Sequence, residues 1–139
     1  MGNRYVMIEM FTIYGNPIVD WMGYPITSDN PLTYHHIIKN EDNGELSIKN
    51  GALLTRKAHM RLHRLEKLAP NLYEEYCFMF RIINDMNCPP TKEIMDIMFV
   101  LKSRLESFFD EIKHQKQDET KQIVWMKKMK RAYKAGHRH

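Results

Sequence analysis

The chain reads as an α+β protein. A strand–turn–strand–helix unit is preceded by an N-terminal strand and loop segment and followed by a C-terminal αα-hairpin. Three observations predict this. Two runs rich in β-branched and apolar residues flank the cluster Asn40-Glu41-Asp42-Asn43-Gly44, and Asn-Gly is a strong short-range hairpin signal. Beyond the second run, apolar residues recur every three or four positions, the period of a helix packed on one side. Asn87-Cys88-Pro89-Pro90 then divides that helical stretch in two.

Taken in order, Arg4 to Tyr14 has the composition of a strand. Gly15-Asn16-Pro17 ends it, and Pro17, Gly23, Pro25 and Pro31 make residues 17–32 mostly loop. Thr33 to Ile38 is the first strand of the hairpin, and Leu46 to Leu54 returns as the second. Thr55 is placed to cap a helix running to about Leu68, with Pro70 marking its end region. Leu72, Tyr76, Met79 and Ile83 then recur at spacings of 4, 3 and 4. After the Pro-Pro break, Thr91 caps a longer helix with Glu93 in its first turn. Ile94, Met98, Leu101, Leu105, Phe108 and Ile112 form its stripe, which reads as core packing rather than a cofactor box. The same stripe could close a dimer, so a homodimer stays open. Residues 113–139 are polar and basic and are expected to fray, with Ile123, Met126 and Met129 on one short helix. The organisation expected is a core over 1–69, a helical hairpin over 70–115 packed on it, and a basic tail over 116–139.

The chain has 139 residues, 43% hydrophobic and 27% charged, which suits one globular domain and excludes wholesale disorder. Apolar runs reach only five residues, as in Ile97 to Leu101, so no bilayer span is expected. The apolar stretch from Tyr5 to Tyr14 is interrupted by Glu9 and Thr12, and no small-residue cleavage site follows. Met1-Gly2 is not followed by the Ser or Thr of a myristoylation signal, since Val6 stands there. Cys77 and Cys88 show no CxxC spacing, so neither a disulfide framework nor a cysteine zinc site is expected. The expected address is cytoplasmic, with no membrane partner.

Net charge is +4 but unevenly placed. Residues 1–69 carry 8 Lys/Arg and 7 Asp/Glu, residues 70–119 carry 6 and 10, and residues 120–139 carry 7 and none. A basic end behind an acidic middle points to an anionic partner.

The histidines carry the chemistry. His35 and His36 are adjacent on a predicted strand, whose regular alternation would send them to opposite faces unless the strand bends or ends there. His59 and His63 are four apart on a predicted helix and share a face, so two imidazoles can converge on one metal ion. Taken alone, each pair is more often a surface or satisfied core feature. His114 receives no role, and His137 and His139 are expected to be solvated.

Together, Tyr34-His35-His36-Ile37-Ile38, the Gly-containing turn, Ile48 to Leu54 with Asn50, and Ala58-His59-Met60-Arg61-Leu62-His63 resemble the HNH (ββα-metal) endonuclease motif over about residues 33–64. His36 to Asn50 is 14 residues and Asn50 to His59 is 9, spacings similar to the family's. The resemblance implies one divalent metal ion (Mg, Mn, Ni or Zn) on a ββα platform. It implies His35 as first metal ligand where many members have Asp, His36 as general base, and Asn50 as the residue that holds the loop and the base. It implies His59 as second ligand, with His63 similar to the further histidine that some members use as a third. The implied reaction is hydrolysis of DNA phosphodiester bonds to 5′-phosphate and 3′-hydroxyl ends, with RNA possible, since the site acts on phosphate. An unperturbed imidazole titrates near 6.5 and can take a proton at neutral pH, and a carbonyl accepting from one ring nitrogen of His36 would leave the other free.

Many members of the family carry two CxxC pairs around a structural zinc. Here Asp20 and Gly23 fall near the first pair and Thr55 and Ala58 near the second, and none is cysteine. Support from the N-terminal strand and the αα-hairpin is expected instead. Arg56, Lys57, Arg61 and Arg64, on or beside the predicted catalytic helix, are candidate phosphate contacts, against the ordinary reading of a solvated helix face. Lys127, Lys128, Lys130, Arg131, Lys134 and Arg138 could add non-specific affinity, with Trp125 and Tyr133 stacking on bases. The function expected is a metal-dependent endonuclease. The alternative is a non-catalytic nucleic-acid-binding or partner-binding protein on the same platform.

Overall fold

A computed structural model describes residues 2–136. His137, Arg138 and His139, and the Met1 of the Met1-Gly2 pair, lie outside the described residues. The chain divides into two units, residues 1–102 and residues 103–139. The described residues form four α-helices and a two-stranded antiparallel sheet, a mixed α+β fold.

The N-terminal segment corrects the first expectation. Asn3–Tyr14, expected as a strand, is a helix, α1. Its β-branched residues suggested a strand, but Met7, Met10, Phe11 and Tyr14 repeat with helical period. Met10 and Tyr14, one turn apart, are the two positions that reach the core. Tyr14 lies edge-on against Trp21 and donates its hydroxyl to Asn84 Oδ1 at 2.9 Å. Gly15, at φ +81°, ends the helix with its N–H on the Phe11 carbonyl.

The hairpin is shorter than its sequence suggests. Strand β1 is Leu32–His36 and strand β2 is Gly51–Thr55, paired from Leu32↔Thr55 to His36↔Gly51. Leu46 to Asn50, expected in the second strand, belongs to the connection. Asn40–Asp42 makes one 3-10 turn, and Asn43 takes left-handed geometry at φ 65°. Gly44 then donates to the Lys39 carbonyl at 2.8 Å. A side chain at Gly44 would collide with the Ile38 and Lys39 carbonyls, so only glycine closes this loop.

Thr55 ends β2 and caps helix α2, Arg56–Leu68, accepting from the Ala58 N–H at 3.3 Å. Ala58, Leu62 and Leu65 form its buried stripe. Pro70, expected to close this helix, opens the next at a first-turn position, where its missing N–H costs nothing. Helix α3, Pro70–Met86, buries Leu72, Tyr76, Met79 and Ile83 as the spacing predicts. Trp21, Leu53, Leu54, Leu62, Phe80 and Met98 are among the large side chains filling the core of residues 1–102.

Helix α4 runs from Lys92 to Gly136, with the Thr91 hydroxyl accepting from the Ile94 N–H. The expectation of a helix to about Ile112 and a frayed tail is corrected. No Gly or Pro occurs between Lys92 and Ala135, and strong helix formers (Lys, Glu, Gln, Met) dominate the stretch. No helix among the described residues is long and apolar enough to cross a membrane.

Candidate metal centre

Three imidazoles meet where β1 crosses the start of α2. His35 and His59 approach through Nδ1 and Nε2 at 3.2 Å, and one ligand atom from each of His35, His59 and His63 lies within 4.8 Å of the others. The sequence brings them together simply. His35 stands on β1 opposite the small Ala52, while His59 and His63 sit one turn apart on α2 with rings stacked at 4.8 Å. His35 is buried with Phe80 behind it, His59 is half-buried, and His63 is exposed.

The tautomer of His59 follows from its neighbour. The Thr33 hydroxyl donates its one proton to the Leu54 carbonyl at 2.8 Å. It must therefore accept from His59 Nδ1–H, 3.0 Å away. The His59 lone pair is then on Nε2, the atom that faces His35. Two nitrogens bound to one tetrahedral ion at ~2.0–2.1 Å stand ~3.3 Å apart, close to the 3.2 Å separation here.

Burial favours the uncharged form of His35 and His59. Burial, with His59, His63, His36 and Lys39 adding, drives the His35 imidazole down to about 3. Burial, then His63 and His36, lowers His59 as well. Neutral imidazoles are what a metal ion requires. The donor set thus fits a divalent ion. All-imidazole ligation favours Zn²⁺, Ni²⁺ or Co²⁺ over Mg²⁺.

A pH dependence follows. The unfolded chain protonates its histidines near 6.5 while folded His35 resists to about 3. Stability from the neutral site is therefore present above pH 6.5 and lost as pH falls toward 3. Between pH 7 and pH 5, His35 alone is worth about 2 kcal/mol, and His59 acts in the same direction. Urea unfolding of metal-free protein at the two pH values measures this, and His35→Asn should flatten the difference.

His36 lies at the end of β1. Because the strand stops there, alternation does not separate it from His35, and both line one open pocket of about 410 Å³ with His59, His63, Lys39 and Glu41. The expected carbonyl partner of His36 is absent among the described residues. Its ring instead packs edge-on against Tyr34, 4.8 Å between centroids, and the Tyr34 hydroxyl is fixed by donating to the Ser47 carbonyl at 2.7 Å.

Asn50 ties the connecting loop. Its Oδ1 accepts from the Ile38 N–H at 2.7 Å, and its Nδ2 donates to the Ile38 and Glu45 carbonyls at 3.0 and 2.8 Å. Its own carbonyl accepts from the Ile37 N–H. This closes the loop directly after His36.

The four candidate phosphate contacts do not share one face. Arg56 is three residues before His59 and so on the histidine side of α2. Lys57 and Arg61 stand over the Tyr24 ring at 5.7 and 5.6 Å, and Arg61 also donates to the Tyr24 hydroxyl. By helical period, Arg64 turns away from the histidines too. Lys49, part of the same basic stretch, donates to the Asn84 carbonyl and to Asn87 Oδ1, where it closes the end of α3.

Asp20, Thr33 and Tyr34 are supporting residues that the histidine spacing alone did not single out. Thr33 and Tyr34 each precede a site histidine by two residues and share its strand face, so alternation was the available signal. Asp20 is fully buried and accepts four hydrogen bonds. Its Oδ1 takes the Met22 and Tyr24 N–H groups at 2.8 and 2.9 Å. Its Oδ2 takes the Thr55 N–H and hydroxyl at 2.9 and 2.7 Å. The two positions discussed above for a zinc clamp are thus joined by Asp20 and Thr55 directly.

No protein-family model, curated protein or solved structure matches this chain.

Proposed function

We propose that this chain is a metal-dependent endonuclease that hydrolyses DNA phosphodiester bonds. One observation carries the proposal: three imidazoles come together beside a fourth, His36, in one open pocket. His35, His59 and His63 would hold a divalent ion, which polarises a phosphoryl oxygen and stabilises the leaving alkoxide. His36 takes the proton from the attacking water as general base. Tyr34 sets the plane of the His36 ring, and Asn50 holds the loop that follows it. Arg56, on the histidine side of α2, supplies positive charge toward the backbone phosphate.

The supporting test is plasmid cleavage by chelator-stripped protein with Mg²⁺, Mn²⁺, Ni²⁺ or Zn²⁺ added back. Nicking that appears only with metal supports the proposal. Absence of cleavage with every ion, while DNA is still bound, replaces it with a nucleic-acid-binding role.

Thr33 supplies a finer prediction. Thr33→Val keeps the shape but removes the acceptor that holds His59 Nδ1–H. Metal affinity is expected to fall about 10–100-fold, read by zinc competition against a chromophoric chelator, with the melting curve little changed.

A further inference from the structure

α3 and the first turns of α4 leave an open apolar groove of about 380 Å³. Phe78, Met79, Ile82, Ile94, Ile97 and Leu101 line it. Phe78 is 64% exposed and Ile97 44%, so apolar surface lies open to water there. Glu74 and Glu75 line the same groove, and Glu93, one turn before Ile97, lies on the same face of α4.

A second feature of the chain complements it. Every residue from Lys113 to Gly136 is exposed. Within this stretch Ile123, Trp125, Met126, Met129 and Tyr133 fall on one side of the helix, and Lys127, Lys130 and Lys134 follow one edge of that side. Residues 120–136 hold six Lys/Arg and no Asp/Glu. A helix in a protein draws most of its stability from burying such a face.

We infer that residues 120–136 of one copy dock in the α3/α4 groove of a second copy, and that the contact is exchanged reciprocally. The chemistry matches on both counts: a basic, Met- and Trp-bearing helix face meets an apolar groove with an acidic edge, the helix-in-groove mode of recognition. Two tails would repel each other, so tail-to-tail pairing is disfavoured. Within one chain every residue of this stretch is exposed, so the occupant we infer comes from another chain. Nucleic acid would match the cations but leave the apolar face unburied. Reciprocal exchange doubles the contact toward the ~1,200 Å² that a stable interface buries.

The test is sedimentation equilibrium of the full-length chain, free of nucleic acid, across micromolar concentrations. The expected species has twice the 16.7 kDa chain mass. Glu74→Lys with Glu75→Lys should weaken association at least tenfold, and so should Lys130→Glu with Lys134→Glu. Combining the two pairs should recover most of it, because the reversed charges match again. These positions are exposed, and unchanged far-UV circular dichroism checks that the variants fold. A monomer at every concentration overturns the inference. So does a dimer indifferent to both charge reversals, or a monomeric chain whose tail variants lose only affinity for duplex DNA.

Discussion

Replacing His36 by alanine is expected to lower DNA cleavage by about 10²–10⁴-fold while leaving metal binding intact. His36 shares the pocket with the three converging imidazoles but stands outside their set. It also packs against Tyr34 at the surface end of β1, so its loss disturbs little of the core. His59→Ala is expected to behave differently and lose both metal and cleavage. His59 supplies the nitrogen nearest His35, and its tautomer is set by Thr33. Single-turnover cleavage rates at saturating metal separate the two variants. Equal loss of metal in both would remove His36 from the role of base.

Asp20→Ala is the second large effect, and it falls on stability. The substitution leaves two buried backbone N–H groups of one loop, and the N–H and hydroxyl of Thr55, without their acceptor. Burial pushes the Asp20 carboxyl up, while the bonds from Thr55, Tyr24 and Met22 pull it back down. Unsatisfied buried donors cost about 1–3 kcal/mol each, so a loss of about 3–5 kcal/mol is expected after local relaxation. Chemical denaturation measures it. A loss below about 1 kcal/mol would mean that the Asp20–Thr55 link carries no structural weight. Thr55 also caps α2, so the same link sets where His59 begins its approach to His35.

The β1–β2–α2 unit and the face shared by His59 and His63 were legible in the sequence, because each rests on short-range signals. Thr55 is a cap type at a strand end, and four-residue spacing on a helix is unambiguous. α1 was not legible from composition, since its β-branched residues are exposed or only half-buried while Met10 and Tyr14 make the contacts that hold it. The late start of β2 depends on Asn50 and Gly44 closing the loop from opposite ends, a long-range arrangement that residue propensity does not encode. Asp20 is the sharpest case. A lone carboxylate in a Pro/Gly-rich loop reads as solvent-exposed, and only the packing of Trp21 and Thr55 around it makes it the centre of four hydrogen bonds.

His35, His59 and His63 are proposed to form one metal centre. The most direct measurement is a Co²⁺ titration of the chelator-stripped chain, following ligand-field absorption. Saturation at one equivalent is expected for the wild type and for His36→Ala, and loss of the signal in His35→Ala and His59→Ala with the circular dichroism unchanged. Absence of binding by the wild type, or one-equivalent binding that survives both His35→Ala and His59→Ala, would contradict it.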